Sequence, residues 1–162
     1  MVPQKVKASI LAALLTVGAC GEGGAPEEAL EEPAMAALPD AGWRFQESAN
    51  GARLFYVSET NPASQVMILT CPIGVDRLIV RLPEVVPVGS EERLTIGHGN
   101  DLAVLMVDPM RDNGSVAGRG PIPDNLDTML KQGIAAAYGS YSLGDLPAVP
   151  GETSARFISA CS

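Results

Sequence analysis

The sequence is poor in the residues that most reactions need. It has one histidine in 162 residues, His98, so a nucleophile–histidine mechanism has a single candidate base. Its three cysteines, Cys20, Cys71 and Cys161, are far apart, which excludes a C-x-x-C redox element and leaves a poor zinc ligand set. Aromatic residues are only 4% of the chain. Trp43, Phe45, Phe55, Tyr56, Tyr138 and Tyr141 fall in strand-like runs and Phe157 in the tail, which suits a core better than a stacking platform. No apolar run reaches the roughly 20 residues that a membrane-crossing helix requires. Acids outnumber bases 19 to 11, and the arginines are scattered singly, so no basic stripe for nucleic acid is legible.

What is present begins with a leader. Lys5 and Lys7 precede the apolar stretch Ala8 to Val17, and small residues follow, the layout of a cleaved export signal. Val17-Gly18-Ala19 satisfies an ordinary cut after Ala19. The tetrapeptide Val17-Gly18-Ala19-Cys20 also resembles the lipobox of bacterial lipoproteins, with Val17 where leucine is usual. That resemblance implies an acylated Cys20 as the new N-terminus, and Gly21 after it implies the outer membrane of a two-membrane bacterium. Lipidation is the reading adopted, with plain secretion as the alternative. Residues 1–19 are then the signal peptide and 20–42 the lipidated N-terminus and tether.

From Gly21 to Gly42 the chain holds six acids, three prolines and no base. Such a segment buries too little apolar surface to offset the entropy of ordering it, which predicts a disordered tether. An acidic docking segment is the alternative. Without residues 1–19 the chain carries nine bases against nineteen acids; without the tether it carries nine against thirteen, a net charge of −4. If Cys20 carries lipid, Cys71 and Cys161 remain to pair in an oxidising compartment. Their bridge would close a loop of about 90 residues.

Residues 43–162 form one domain-sized unit. Strands are expected at 43–47, 52–58, 65–71, 76–82, 93–98 and 102–107. Asn50-Gly51 and Gly99-Asn100-Asp101 mark hairpins, and 135–143 is a further strand. Asp108 to Pro123, rich in glycine and proline, reads as one long loop. Asp124 is the expected N-cap of a short helix bearing Leu126, Met129 and Leu130, stopped by Gly133. A last helix would bury Ala155, Ile158 and Cys161, which recur every third residue. The fold class is mainly β (α+β): a small antiparallel sandwich or open barrel with one or two short helices and one disulfide.

Tests for chemistry fail one by one. Asp101 or Asp108 could orient His98, with Ser90 or Ser140 as nucleophile, yet no G-x-S-x-G elbow exists and a histidine between two glycines suits a solvated turn. Glu91-Glu92 reads as a solvated loop, and Asp124 and Asp127 as helix-terminus acids, rather than acid–base pairs. Asp108 and Asp112 flank Met110, which occupies a position where a calcium loop wants oxygen. Asn113-Gly114-Ser115 fits the glycosylation triplet, which means little in a bacterial lipoprotein. No catalytic residue, metal or cofactor is therefore assigned.

Met67-Ile68-Leu69-Thr70-Cys71, Leu146-Pro147 and Arg156-Phe157-Ile158-Ser159-Ala160-Cys161 together resemble small exported alphaproteobacterial proteins and lipoproteins with a two-cysteine β-rich domain. The resemblance implies an envelope location and a disulfide, and no activity. The expected function is a non-enzymatic, lipid-anchored domain that binds a protein or envelope component. The alternative is a small-ligand or inhibitor-type module using the 108–123 loop.

Overall fold

A computed structural model describes residues 41–111 and 114–162. Among them the chain forms nine strands and two helices. The strands are β1 (Gly42–Ser48), β2 (Gly51–Val57), β3 (Gln65–Pro72), β4 (Leu78–Leu82), β5 (Arg93–His98), β6 (Asp101–Val107), β7 (Val116–Gly120), β8 (Ile134–Tyr138) and β9 (Tyr141–Leu146). The helices are α1 (Leu126–Gln132) and α2 (Gly151–Ala160). All nine strands belong to one antiparallel sheet, in the order β1-β2-β3-β4-β7-β6-β5-β8-β9.

Alternation along the strands gives the sheet two unlike sides. Trp43 on β1, Leu54 and Tyr56 on β2, Met67, Leu69 and Cys71 on β3, and Leu78, Val80 and Leu82 on β4 face one side and are buried. Leu105 on β6, Leu94 and Ile96 on β5, and Tyr138 on β8 continue the same core. Both helices cover this inner side. Helix α1 packs near β5 and β6, α2 near β1 and β2, and the two helices touch each other. The sheet must therefore curl until its two halves meet around them. The Trp43 indole, on one edge strand, donates to the Pro147 carbonyl just past the other edge at 2.6 Å. This is the open, curled member of the expected pair of architectures, with one sheet instead of a sandwich's two.

Strand β7 causes that difference. It lies inside the segment expected to be one loop from Asp108 to Pro123, and it joins β4 to β6. Two of its five residues are Gly118 and Gly120, so it shows no apolar run. The missing side chain at Gly118 is structural: a Cβ there would lie 2.8 Å from both Leu94 and Leu105, which are buried. The expected strand at 135–143 is instead the hairpin β8–β9, turning at Gly139 and Ser140.

The helices depart from expectation in detail. Asn125, not Asp124, precedes α1 at the cap position and makes no side-chain cap hydrogen bond. Helix α2 buries Ser154 and Phe157, while Ala155 is exposed. Ile158 and Cys161 are partly buried against the core as expected, and the face centres on Phe157 because it is the bulkiest apolar side chain of the helix and burying it sets the rotation. Cys161, at the helix C-cap, is bonded to Cys71 of β3 across a Cα–Cα distance of 5.3 Å.

One tyrosine ties down the long β4–β5 connection. The Val88 N–H donates to the Tyr138 hydroxyl at 3.0 Å, and that hydroxyl faces the Glu91 and Val88 carbonyls at 2.9 and 3.1 Å. Tyr138→Phe keeps the buried ring and removes the hydroxyl. It is expected to cost about 1–2 kcal/mol and to loosen residues 86–92, read by urea denaturation and by faster amide exchange at Val88.

Candidate functional site

Several of the residues singled out for chemistry are engaged in structural contacts. His98, at the end of β5, pairs through Nδ1 with Asp145 of β9 at 3.2 Å, both partly exposed. Neither aspartate expected to orient it does so. Asp101 accepts from the Asn125 amide at 3.0 Å, fixing the entry to α1. Asp108 accepts from the backbone of Met110 and Arg111 at 3.1 and 3.3 Å, closing its own turn. Ser90 and Ser140 are exposed in separate loops, and neither is joined to His98. Glu91 accepts from the Arg93 backbone at 3.0 Å.

Asp127 accepts from Ser154 of α2 at 3.3 Å and pairs with Lys131 at 2.5 Å, so it links the two helices. Cys20, Asp112 and Asn113 lie outside the described residues. Among the described residues no three His, Cys, Asp or Glu side chains cluster as metal ligands, and no buried side-chain polar atom lacks a hydrogen-bond partner. The hollow beside the disulfide, lined by Ile73, Val75, Asp76 and Ser162 among others, is about 460 Å³ and opens to solvent.

The outer side of the sheet is different. Strand register places Arg44 and Gln46 of β1, Arg53 and Phe55 of β2, and Ile68 and Thr70 of β3 on that side. Ile79 and Arg81 of β4, Ala117 and Arg119 of β7, and Met106 and Val104 of β6 continue it. Arg93 and Thr95 of β5 and Ala137 of β8 carry it to the far end. Arg77, two residues before Ile79, flanks the same side and lines a shallow recess together with Asp76 and Arg119. Six of the nine bases in residues 43–162 thus share one surface. No paired strand position on that side holds an acid. The arginines that look scattered in sequence are gathered by folding.

Neutral contacts hold several of these guanidinium groups. Arg53 donates to Gln65 at 2.5 Å and lies 5.2 Å from the centre of the Phe55 ring. Arg81 donates to Ser115 at 3.1 Å, and Arg119 to the Ala117 carbonyl at 3.0 Å. Among the described residues, Arg53, Arg77, Arg81 and Arg93 have no carboxylate partner. Beside them, Leu102, Val104 and Met106 form a ridge along β6, each 56% exposed. Small residues flank the ridge: Thr95 and Gly97 on β5, then Ala135 and Ala137 on β8.

No family model, curated protein or solved structure matches the chain. The outer face therefore has to be read from its own chemistry. Planar guanidinium groups without carboxylate partners beside exposed apolar side chains suit contact with an acidic or amphiphilic surface. Sequence reading missed this face because it counted bases along the chain without projecting them onto strand sides. The signal was nevertheless present: Arg77, Ile79 and Arg81 alternate with Leu78, Val80 and Leu82.

Proposed function

We propose that the chain is a lipid-anchored cell-envelope protein whose domain binds an acidic envelope component, without catalysing a reaction, through the outer side of its sheet. Residues 1–19 direct export, Cys20 carries the lipid, and the outer membrane is the location. The likeness to small exported alphaproteobacterial proteins and lipoproteins belongs to the same proposal. The outer face, with Arg53, Arg81 and Arg93, no acid at a paired strand position, and the ridge Leu102, Val104 and Met106, carries the binding part. The engagement of His98, Asp101, Asp108 and Asp127 in structural contacts favours binding over catalysis. The alternative contact surface at 108–123 is reduced, since Val116–Gly120 is a strand of the sheet and Val116 and Ala117 are buried.

Two measurements in intact cells test the reading. Cys20→Ser is expected to move the protein from the membrane pellet to the soluble fraction, because anchoring depends on burying acyl chains. A variant that still sediments with membranes overturns the anchor. A photoreactive residue at Val104 is expected to give several-fold more crosslinked product than one at Ala155, on the exposed side of α2. Arg81→Glu with Arg93→Glu should abolish that excess. Equal yields at the two positions overturn the assignment of the face.

A further inference from the structure

The chemistry of the outer face narrows its partner to one class. We propose that this side of the sheet rests on an anionic phospholipid surface. Leu102, Val104 and Met106 enter the headgroup layer, and Arg53, Arg81 and Arg93 are held against lipid phosphates. The inference rests on the binding reading of that face given above and deepens it.

The first observation is that apolar and cationic side chains share one side. Strand register lines up Arg53, Thr70, Ile79, Arg119, Met106 and Arg93 in a row across six strands. Arg93 thus stands directly opposite Met106, the last residue of the ridge, and Arg81 lies in the adjoining row between Ile68 and Ala117. Outward side chains on a strand recur about every 7 Å, so the ridge runs for roughly 14 Å. Its neighbours are small: Thr95 and Ala137 beside Val104, and Gly97 and Ala135 beside Leu102. An acidic glycan would pair with the arginines and leave Leu102, Val104 and Met106 in water. A headgroup layer takes both, since aliphatic side chains sink below the phosphates while guanidinium groups stay level with them.

Relief on the face also suits a fluid surface better than a shaped protein partner. The hollow beside the ridge, lined by Thr95, Gly97, Leu102 and Ala137 among others, is about 100 Å³, against about 460 Å³ beside the disulfide. Protein partners anchor bulky side chains in pockets, and this face offers little room for one.

The second observation is where the charge sits. Residues 43–162 carry nine bases against thirteen acids, so an anionic surface repels the domain as a whole. The outer side is the exception, with no acid at any paired strand position. Asp76 and Asp108 stand at its margin, the first beside Arg77 and the second accepting hydrogen bonds within its own turn. At physiological salt the Debye length is about 8 Å, so acids on the helix-covered side weigh little once the face is in contact. The bases on the face are all arginine, whose planar group bridges two oxygens of one phosphate, while Lys131 lies on α1. Each basic side chain near an anionic leaflet strengthens adsorption about fivefold, and three give roughly a hundredfold. That is enough to orient a domain already at the membrane and too little to hold one there alone, in keeping with the expected release of Cys20→Ser.

The test uses the chain as the cell processes it, with an environment-sensitive fluorophore on Val104→Cys. It is mixed with excess vesicles of phosphatidylcholine, or of phosphatidylcholine and phosphatidylglycerol together. Emission is expected to rise several-fold on the anionic vesicles and to be quenched there by nitroxide-bearing lipid. The same fluorophore on Ala155→Cys should do neither. Arg81→Gln with Arg93→Gln should reduce the rise to the level seen on phosphatidylcholine alone. So should 1 M NaCl, where the Debye length is about 3 Å. Both arginines are exposed, so the substitutions spare the core, and the salt measurement needs none.

No rise, or an equal rise on both kinds of vesicle, overturns the inference. So does a rise that grows with protein density on the vesicle, which would place a second copy on the face. A rise evoked by soluble alginate but not by vesicles also overturns it and gives the face to an acidic glycan. Failure of the wider binding reading looks different: anionic vesicles still raise the emission, while Val104 crosslinks in cells show no excess.

Discussion

Replacing Cys71 and Cys161 together by alanine is expected to lower the stability of the domain by about 4.5 kcal/mol. The bridge spans a sequence separation of 90 residues, about three quarters of residues 43–162. Loop-closure entropy grows with the logarithm of that separation, and most of the effect arises from restricting the unfolded chain. The double substitution is the informative one. Cys71 is 1% exposed, so replacing Cys161 alone would leave a buried thiol on β3, and serine in place of Cys71 would bury a hydroxyl. For a domain of this size the loss corresponds to a drop in Tm on the order of 15 °C. Urea denaturation of the oxidised parent and the double variant measures it directly. The m-value should rise, because the unbridged unfolded chain exposes more surface. A loss below about 1 kcal/mol would show that the unfolded chain is already compact between these positions.

How much of this fold was legible depended on side-chain size. Strands β3 and β6 carry runs of valine, leucine, isoleucine and methionine, β5 alternates Leu94 and Ile96 with other residues, and the expected bounds of all three differ from those observed by at most one residue. The two cysteines were legible as a pair through elimination of Cys20, and the structure joins them. Strand β7 was not legible, because a strand can be specified by what its neighbours need as well as by its own residues. Leu94 and Leu105 fill the space above Gly118, and only glycine leaves it. With β7 read as loop, β1-β2-β3-β4 and β6-β5-β8-β9 would be two unconnected groups of strands, an arrangement that fits a sandwich as well as an open sheet.

The candidate site was obscured for a related reason. Arginines spaced from Arg44 to Arg119 acquire a common side only after seven strands are placed in register. Arg81 and Arg119 come from β4 and β7, so the unread strand hid part of the site as well as part of the fold. His98 showed the opposite bias. A lone histidine attracts catalytic readings, but its partner Asp145 lies 47 residues away on β9, just beyond the strand expected at 135–143.

Phe157→Ala is expected to cost about 3–5 kcal/mol, the range for removing a fully buried aromatic ring. Phe157 is 0% exposed and is the only fully buried apolar side chain that α2 contributes. A ten-residue helix does not persist alone in water, so α2 exists because it docks. Its other attachments include the partly buried Ile158 and Ala160, the Ser154–Asp127 hydrogen bond, the Arg156 guanidinium 4.8 Å from the centre of the Phe45 ring, and the disulfide at its end. With the bridge intact, the substitution should free the first turns of α2 while Cys161 stays attached to β3. Amide exchange in 151–158 would then rise far more than in β5 and β8, at the other end of the strand order. Because the bridge and the ring hold the same helix, combining Phe157→Ala with the double cysteine replacement should not give the sum of the separate losses. Once α2 has left the inner side of the sheet, the second change has less docking left to remove. Denaturation of the four proteins in that cycle measures the coupling. Strict additivity, or a Phe157→Ala loss below about 1 kcal/mol, would show that α2 does not depend on its ring for docking.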